Sequence, residues 1–544
     1  MPVPDTDLNG GTHDPASSLI LHLHTDQGLM MRSPLTARRL RAKVVTVLAA
    51  VAMAVLAVPS ATVAHADTPP TIPTFTDGYG LTQVADPSDA AGPSTVETPT
   101  NFTITVTTPE VANDPSAGTV GHHIRVILPS DYYTNTTERY PVLYYLLGAA
   151  DDPVREGGLQ PYFSTKMITV IPDGGPRGWY VNWLNQDTVA GAQNWETFEI
   201  DQVIPFIDAN LRTIPDQADR AIAGLSMGGF GAFHLAEAHP SLFGNVASMS
   251  GPIDMSEDDL ATRVAVVAME TNIGQGLVSI GGPPILPNYG PSVPADAIFG
   301  PSAAPADTYW SGVDPSSTAN LTNLTGKGIS IYTGSGKNFL GIPDDVLEPF
   351  VESAAGWTEG RLSAAGIPSY DVDYGDGSGW GTAENCNGGH TYSCWEADLQ
   401  DYIPRLEAAF GLGTVAMGDV TGYQGLCLDV RNGGVAPGTA VQVYTCNGNS
   451  QQLWTVGSGN TVKAYGECLD VSGGGTWDGT GVDLYTCNGT GAQQWVPQAD
   501  GALLNPQSGK CLDDSNWGGA GTQAQIWDCT GAANQDWNLP TLTG

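Results

Sequence analysis

A serine flanked by glycines is the feature of this chain with the clearest chemical use. The segment Gly224-Leu225-Ser226-Met227-Gly228 follows a short, mostly apolar stretch at 220–223, and apolar residues at helical spacing come after it. Glycine on both sides allows a sharp strand-to-helix turn that exposes a serine hydroxyl above a sheet edge. The pattern predicts that Ser226 is a nucleophile; the alternative is a glycine-rich turn whose serine does no chemistry.

A serine hydroxyl is barely ionised at neutral pH, so it needs a base in contact and an acid that orients the base. In hydrolases with this turn, the chain order is serine, acid, histidine. Of the nine histidines, only His234, His239 and His390 follow the serine, and the first two fall on the helix that leaves the turn. His390 is therefore the predicted base. The alternative for its loop, which runs from Cys386 to Cys394, is a clamp carrying a surface histidine.

The acid is expected after the predicted strand 329–333, because it must come between the serine and the histidine in the chain. Asp344, Asp345 and Glu348 are the candidates there. The residues alone do not rank them.

The elements that would position these side chains alternate between strand and helix, the pattern of a doubly wound sheet covered on both faces. Predicted strands are 123–128, 142–147, 167–171, 221–226, 246–250 and 329–333, and predicted helices are 198–211, 228–238, 346–365 and 395–410.

A threefold repeat of about forty residues follows position 415. Each copy contains Gly-x-Cys-Leu-Asp, then a strand that ends in a second cysteine, then Gln-x-Trp. The recurring separation pairs the cysteines within each copy and leaves one further pair. The predicted disulfide bonds are Cys427–Cys446, Cys468–Cys487, Cys511–Cys529 and Cys386–Cys394.

This repeat resembles the ricin B-chain type β-trefoil, a family 13 carbohydrate-binding module. The resemblance implies that the tryptophans of the three Gln-x-Trp motifs are core residues and that each repeat forms a lobe able to hold a sugar. The residues carried over are Asp513, Gln525, Trp527, Asn534 and Gln535 in the third lobe; Asp429, Gln442, Tyr444 and Gln452 in the first; and Asp470 and Tyr485 in the second. The first lobe has Gln451 in place of the asparagine, and the second has Asp483 and Ala492 in place of the glutamine and the asparagine. The alternative is a structural trefoil whose sites have decayed.

The region before the repeat is similar to the esterase family that includes esterase D and the mycolyltransferases of the antigen 85 complex. The matching stretches are 140–148, 195–198, 224–229, 299–301 and 346–348, with His390 and Trp395. The resemblance implies an α/β-hydrolase fold and selects Glu348 as the acid. Met227, directly after the serine, and Ala149, in the turn after strand 142–147, are the expected amide donors of the oxyanion hole. The turn at Ala149 lacks the polar residue that the family has before its glycine, so no trehalose-binding residue is carried over.

Composition limits the partners and the location. A formal net charge of −37 excludes a nucleic-acid partner, since phosphate binding requires a basic surface. Five basic residues within 31–43, the apolar run 44–58 and Ala64-His65-Ala66 form the pattern of a secretory signal peptide. The run is shorter than the ~20 residues of a membrane span. We expect export through this signal peptide, with no membrane span.

Three parts are predicted: an upstream segment with a signal peptide at 1–66, an α/β-hydrolase domain at 67–412 and a β-trefoil at 416–544. Together they imply a secreted serine esterase acting on acetyl or feruloyl esters of a polysaccharide, with no metal or organic cofactor. One alternative is an acyltransferase of the mycolyltransferase type, in which a sugar hydroxyl replaces water. Another is a lectin with a catalytically silent hydrolase domain.

Overall fold

The computed structural model describes residues 70–85, 97–113, 120–154, 158–256, 260–271, 290–302, 307–337, 347–381, 386–413, 415–457 and 459–541. The predicted signal peptide lies outside the described residues, as do the candidate acids Asp344 and Asp345. Within these ranges, no helix is long and apolar enough to cross a bilayer.

The first sheet is built from the strands β1 Thr82–Gln83, β2 Asn101–Thr107, β3 His122–Ile127, β4 Val142–Leu146, β5 Ile168–Pro172, β6 Arg220–Leu225, β7 Asn245–Met249, β8 Gly328–Thr333 and β9 Tyr370–Asp373. Their order across the sheet is β1-β2-β3-β5-β4-β6-β7-β8-β9. The six strands from β5 to β9 in this order run parallel. β3 pairs antiparallel with β5, β2 with β3, and β1 with β2 at the edge. The carboxyl ends of the parallel strands therefore meet at one edge, where α/β proteins bind ligands.

Helices cover this sheet: α1 Trp195–Thr197, α2 Ile204–Asn210, α3 Met227–Ala238, α4 Leu260–Thr271, α5 Thr308–Val313, α6 Thr318–Leu321, α7 Glu348–Ala364 and α8 Tyr392–Ala409. Short 3₁₀ turns occur at Gln160–Tyr162, Gln217–Asp219 and Thr322–Leu324. The predicted helix 198–211 is a π-helical turn, Phe198–Val203, followed by α2. Pro205, which has no backbone N–H to donate, lies inside this continuous helical segment directly after the π-helical turn.

Both faces of the sheet are buried, as the apolar strands predict. Along β4, Val142, Tyr144 and Leu146 belong to one apolar cluster, whereas Leu143 and Tyr145 belong to the other. Successive side chains of a strand point to opposite faces, so a strand that is apolar throughout needs cover on both sides. This is the α/β-hydrolase arrangement.

The second sheet consists of β10 Val415–Asp419, β11 Cys427–Val430, β12 Thr439–Tyr444, β13 Leu453–Gly457, β14 Val462–Ala464, β15 Glu467–Val471, β16 Thr480–Tyr485, β17 Val496–Pro497, β18 Leu503–Asn505, β19 Lys510–Asp514 and β20 Thr522–Trp527. The 3₁₀ turns here are Tyr423–Gly425, Arg431–Gly433, Ser450–Gln452, Ser472–Gly474, Gly491–Gln493, Ser515–Trp517 and Ala533–Gln535. Each repeat forms a hairpin, β11/β12, β15/β16 or β19/β20. The strands β12, β16 and β20 pair with one another, which closes the threefold ring of a β-trefoil.

The three Gln-x-Trp tryptophans are buried, and each indole N–H donates to a leucine carbonyl of its own repeat. The pairs are Trp454 with Leu428, Trp495 with Leu469, and Trp537 with Leu512. The disulfide bonds join Cys386 to Cys394, Cys427 to Cys446, Cys468 to Cys487, and Cys511 to Cys529, which are the pairs that the spacing predicts.

The trefoil packs on α8 and β9 through a shared apolar cluster. The rings of Tyr370 and Tyr465 lie 5.6 Å apart across this junction. The Ser450 hydroxyl donates to the carbonyl oxygen of Asp371 (3.0 Å) and accepts from the Tyr465 hydroxyl (3.0 Å). Two cavities of about 280 and 240 Å³ lie along the junction rather than near Ser226.

Candidate active site

Ser226 occupies the turn between β6 and α3 with a strained backbone, φ +52° and ψ −124°. The two glycines around it are required by close approach. A Cβ at Gly224 would lie 2.3 Å from the carbonyl oxygen of Gly228, and a Cβ at Gly228 would lie 2.2 Å from the carbonyl oxygen of Leu146. A strained residue of this kind persists only when its surroundings determine it. The turn thus holds the serine at the carboxyl edge of the sheet.

His390 lies beside this serine. Its Nε2 is 2.9 Å from Ser226 Oγ, and its Nδ1 is 2.8 Å from Glu348 Oε2. The side chain is only 10% exposed, and its ring packs edge-on against Trp395 of α8 at 5.0 Å between centroids. The structure therefore brings the three predicted catalytic side chains into one hydrogen-bonded row.

Glu348, the first residue of α7, is completely buried at the end of this row. Its Oε1 accepts hydrogen bonds from the Ser250 hydroxyl and from the Gly334 amide, both at 2.8 Å. Its Oε2 faces the histidine. Because a buried carboxylate is stable only when its oxygens have partners, these contacts fix the position of both oxygens.

The loop that carries His390 is attached at several points. The Cys386–Cys394 disulfide closes it, and the carbonyl oxygen of Gly388 accepts from the Gly336 amide in the segment after β8 (2.8 Å). The Thr391 amide donates to the carbonyl oxygen of Gly389 (2.9 Å), next to the histidine. The loop of the imidazole is thus held by a disulfide bond to α8 and by a backbone contact with the segment after β8.

The two predicted oxyanion donors come from the start of α3 and from the turn after β4. Met227 is the first residue of α3, where the first-turn amides have no acceptor within the helix. Ala149 lies in the turn after β4, and a Cβ at Gly148 would lie 3.3 Å from Ser226 Cβ. The amide of the next residue, Ala150, donates to a carbonyl oxygen outside this turn (3.0 Å). Ala149, between these two residues, stays the predicted second donor of the oxyanion hole.

Asp151 is a further polar group beside the catalytic row. Its carboxylate accepts hydrogen bonds from the Tyr392 hydroxyl and from the Gly148 amide, and it is attracted by His390. Burial raises the pKa of Asp151 above its ordinary value, against the effect of these contacts. A second carboxylate thus faces the reaction region.

The predicted sugar residues of the third trefoil lobe form one hydrogen-bonded group around Asp513. Its Oδ1 accepts from Gln525 Nε2 (3.0 Å), and its Oδ2 accepts from Asn534 Nδ2 (2.8 Å) and Gln535 Nε2 (2.9 Å). Trp527, at the end of β20, is 42% exposed. A fixed carboxylate and an exposed aromatic ring on the same hairpin suit a sugar, whose hydroxyls donate and whose C–H face is apolar.

The first lobe repeats this geometry in part. Asp429 accepts from Gln442 Nε2 (2.8 Å) and Gln452 Nε2 (2.9 Å), and Tyr444 is 41% exposed. Arg431 Nε donates to Gln442 Oε1 (2.9 Å), which ties the glutamine from its other side.

The second lobe differs because two carboxylates replace the carboxylate-amide pair. Asp470 and Asp483 face one another across the β15/β16 hairpin. Burial raises the pKa of Asp470 to about 6. Repulsion by Asp483 adds to this rise, and a hydrogen bond from Gln493 opposes it. Tyr485 is still 44% exposed. This lobe keeps one amide partner for its carboxylate, Gln493, but has Asp483 where the other two lobes have a glutamine.

Comparison with known proteins agrees with both parts of the chain. A family model described as "Putative esterase" matches residues 121–406, which is more than half of the 544 residues. The chain belongs to this esterase family. A second family model, "Ricin-type beta-trefoil lectin domain", matches residues 416–537.

Two mycobacterial proteins and one solved structure are similar to the esterase part of this chain. Esterase Rv1288 of Mycobacterium tuberculosis is 30% identical over 295 residues, which cover 53% of this chain and 56% of that protein. The chain thus spans just over half of that relative's length. Diacylglycerol acyltransferase/mycolyltransferase Ag85B of Mycobacterium intracellulare is 27% identical, covering 55% of this chain and 82% of that protein. A solved structure of a ferulic acid esterase matches at a TM-score of 0.37 and 20% identity, covering 57% of this chain and 98% of that one.

Two residues of the site were missed by sequence reasoning. Ser250 follows β7 in an ordinary Met-Ser-Gly sequence, and its signal, a φ of +51°, appears only in the structure. Asp151 was identifiable as one of two adjacent acids in the turn after β4, the turn in which Ala149 was chosen.

Proposed function

We propose that this chain is a serine esterase that removes acyl groups, acetyl or feruloyl, from a polysaccharide to which its trefoil binds. The observation that carries the proposal is the continuous hydrogen-bonded row from Ser226 through His390 to the buried Glu348. The secreted location, through the signal peptide in residues 1–66, and the division into a hydrolase domain at 67–412 and a trefoil at 416–544 belong to the same proposal.

In the first step, Ser226 Oγ attacks the ester carbonyl while His390 Nε2 takes its proton. Glu348 holds Nδ1–H of the imidazole and stabilises the imidazolium that forms. The amides of Met227 and Ala149 donate to the oxygen on which negative charge develops. The histidine then gives its proton to the leaving alcohol, which departs as the bond to the acyl group breaks.

In the second step, His390 takes a proton from water, and the resulting hydroxide equivalent attacks the acyl-enzyme. The acid is released and the serine recovers its proton from the imidazolium. No group besides these side chains and water is needed to balance either step.

The trefoil supports a polysaccharide substrate. The Asp513 group with Trp527 and the Asp429 group with Tyr444 have the chemistry of sugar sites. Two weak sites on one body raise the concentration of esterase near a polymer, by ~10² or more when both are engaged.

A second candidate function is acyl transfer, favoured by the similarity to the mycolyltransferase Ag85B. In that reaction a sugar hydroxyl replaces water in the second step.

The test is release of acetate from acetylated xylan and ferulate from feruloylated arabinoxylan, with p-nitrophenyl acetate and simple lipid esters in parallel. Ser226→Ala should lose at least about 10³-fold in turnover on every ester that the wild type cleaves. Ser363→Ala, an exposed serine of α7, is the matched control and should retain full activity.

If Ser226→Ala keeps its activity, Ser226 is not the nucleophile. If the wild type is inactive on all these esters, the remaining alternative is a lectin with a catalytically silent hydrolase domain. Product analysis with excess oligosaccharide acceptor separates hydrolysis from transfer, since only transfer yields acylated oligosaccharide.

A further inference from the structure

Trp477 is 81% exposed, the most exposed large apolar side chain in the described part of the chain. It lies in the loop of the second repeat that precedes β16. Exposing an indole to water has a free-energy cost that burial would remove. A single exposed residue is ordinary, so the question is what lies beside it.

The loop that carries Trp477 is held against the third repeat rather than its own. The Gly479 amide donates to the carbonyl oxygen of Ile526 in β20 (3.0 Å). Asp478 Oδ1 accepts from the Asp528 amide (2.9 Å). Lys510 Nζ lies 2.6 Å from Asp478 Oδ1. The tip of the second repeat is therefore fixed to both strands of the β19/β20 hairpin.

This attachment places the loop next to the sugar residues of the third lobe. A Cβ at Gly479 would lie 3.8 Å from Gln525 Oε1 and 3.8 Å from Trp527 Cζ3. Thr480 donates both its amide (3.1 Å) and its hydroxyl (2.8 Å) to the carbonyl oxygen of Trp477, which fixes the backbone there. The exposed indole thus stands on a rigid loop at the border of the Asp513 group.

The trefoil does not require an aromatic residue at this position. Eight residues before the strand-end aromatic, the first repeat has Ala436 and the third has Gly519. Trp477 is thus specific to the loop beside the third lobe, which is also the lobe with the full set of polar sugar residues.

We infer that Trp477 adds a second sugar platform to the third lobe, so that this lobe binds a glycan chain of two or more units rather than a single sugar. The inference rests on the proposed glycan binding and extends it to the size of the ligand. One unit sits on Trp527 above Asp513, and the neighbouring unit places its C–H face on the indole of Trp477. Aromatic rings on rigid loops bind sugars at a low conformational-entropy cost, because little side-chain freedom is lost.

The test is calorimetric binding of unesterified oligosaccharides to the full chain, with xylose to xylohexaose as one series and galactose to galactohexaose as the other. Trp477→Ala should bind the monosaccharide within about twofold of wild type and trimers or longer about tenfold more weakly. Trp357→Ala, an exposed tryptophan of α7 (52%), is the matched control and should equal wild type at every length. Trp527→Ala should lose the third-lobe site at every length, seen as a fall in the number of binding sites to the one around Asp429, because it removes the first platform.

The outcomes separate this inference from the function it extends. If Trp477→Ala binds every oligosaccharide with the affinity of the Trp357→Ala control while Trp527→Ala loses the third-lobe site, Trp477 is not a sugar platform. The sugar site around Asp513 is then still supported. If affinity in the wild type does not rise with length, the inference is likewise overturned. If no sugar of either series binds the wild type, or Trp527→Ala binds like wild type, the proposed third-lobe sugar site itself fails.

Discussion

The Ser250 hydroxyl donates a 2.8 Å hydrogen bond to Glu348 Oε1, the carboxylate oxygen that does not face His390. Ser250 is completely buried and has a φ of +51°, so its backbone is held in a strained conformation at the end of β7. The Gly334 amide donates to the same oxygen at 2.8 Å. Ser250 is therefore a positioning residue for the acid of the proposed triad.

Ser250→Ala should lower kcat about tenfold while leaving KM within twofold, because Glu348 would orient the imidazole less well and the substrate would still bind. Steady-state kinetics on p-nitrophenyl acetate measures both constants. In a Glu348→Gln background the same substitution should have little further effect. Additive losses in the double variant, with an equal fall in folded fraction, would indicate a purely structural role for the serine.

Replacing Cys386 and Cys394 with serine should lower kcat about tenfold or more, since the loop carrying His390 would lose its closure and small misplacements are costly in catalysis. Folded yield should fall less than turnover. The matched control is the pair Cys427 and Cys446, whose replacement affects the trefoil and should leave kcat unchanged. Equal losses of activity and of folded protein would show that the Cys386–Cys394 bond has only a stabilising role.

Asp513→Ala combined with Asp429→Ala should weaken retention on insoluble polysaccharide about tenfold or more, because each carboxylate is the common acceptor of its sugar group. Turnover of p-nitrophenyl acetate should not change. Asp419→Ala, an exposed residue of β10, serves as the control for loss of a trefoil carboxylate. Retention that is unchanged in the double variant would mean that the assigned sugar sites are wrong.

Glu467, buried at the junction between the trefoil and α8, makes stability depend on pH. Burial raises its pKa to about 7, against a hydrogen bond from Thr486 and the attraction of Lys463. Between pH 4.5, the ordinary pKa of a glutamic acid, and pH 7, the unfolded chain releases the Glu467 proton while the folded chain keeps it. The free energy of unfolding therefore falls as the pH rises through this range. Above pH 7 the loss is complete.

Glu467→Gln should therefore be more stable than wild type by about 1–3 kcal/mol at pH 8, with the difference disappearing near pH 4.5. Urea unfolding at pH 5, 6, 7 and 8 measures it. Glu138→Gln, at an exposed position before β4, should not change the pH profile. A pH-independent difference between Glu467→Gln and wild type would contradict the assignment.

Residues under strong local constraint were predictable from the sequence. The turn at Ser226 requires glycines at fixed positions, so a five-residue pattern is enough to recognise it. The threefold repeat identifies the trefoil in the same way, because each copy carries its own cysteines and its own core tryptophan. The strands β4, β6, β7 and β8 were found to within a residue at each end, since they are buried on both faces and mostly apolar.

Features that depend on distant contacts were not predictable. Glu348 could be separated from Asp344 and Asp345 only by resemblance, because the contacts with Ser250 and Gly334 come from segments far away in the chain. The strand β9 is four residues long and was missed, since so short a segment has little periodicity. The packing of Tyr465 on Tyr370 joins two ordinary tyrosines that nothing in the sequence relates.

That packing has a mechanical consequence. Only residues 410–414 separate α8 from β10 in the chain. The tyrosine contact and the shared apolar cluster also hold the trefoil in a fixed position relative to α8, the helix that follows His390. A polymer bound by one lobe would then present its ester groups to Ser226 at a fixed distance from that lobe. Acyl groups would then be removed at preferred spacings along the chain rather than at random.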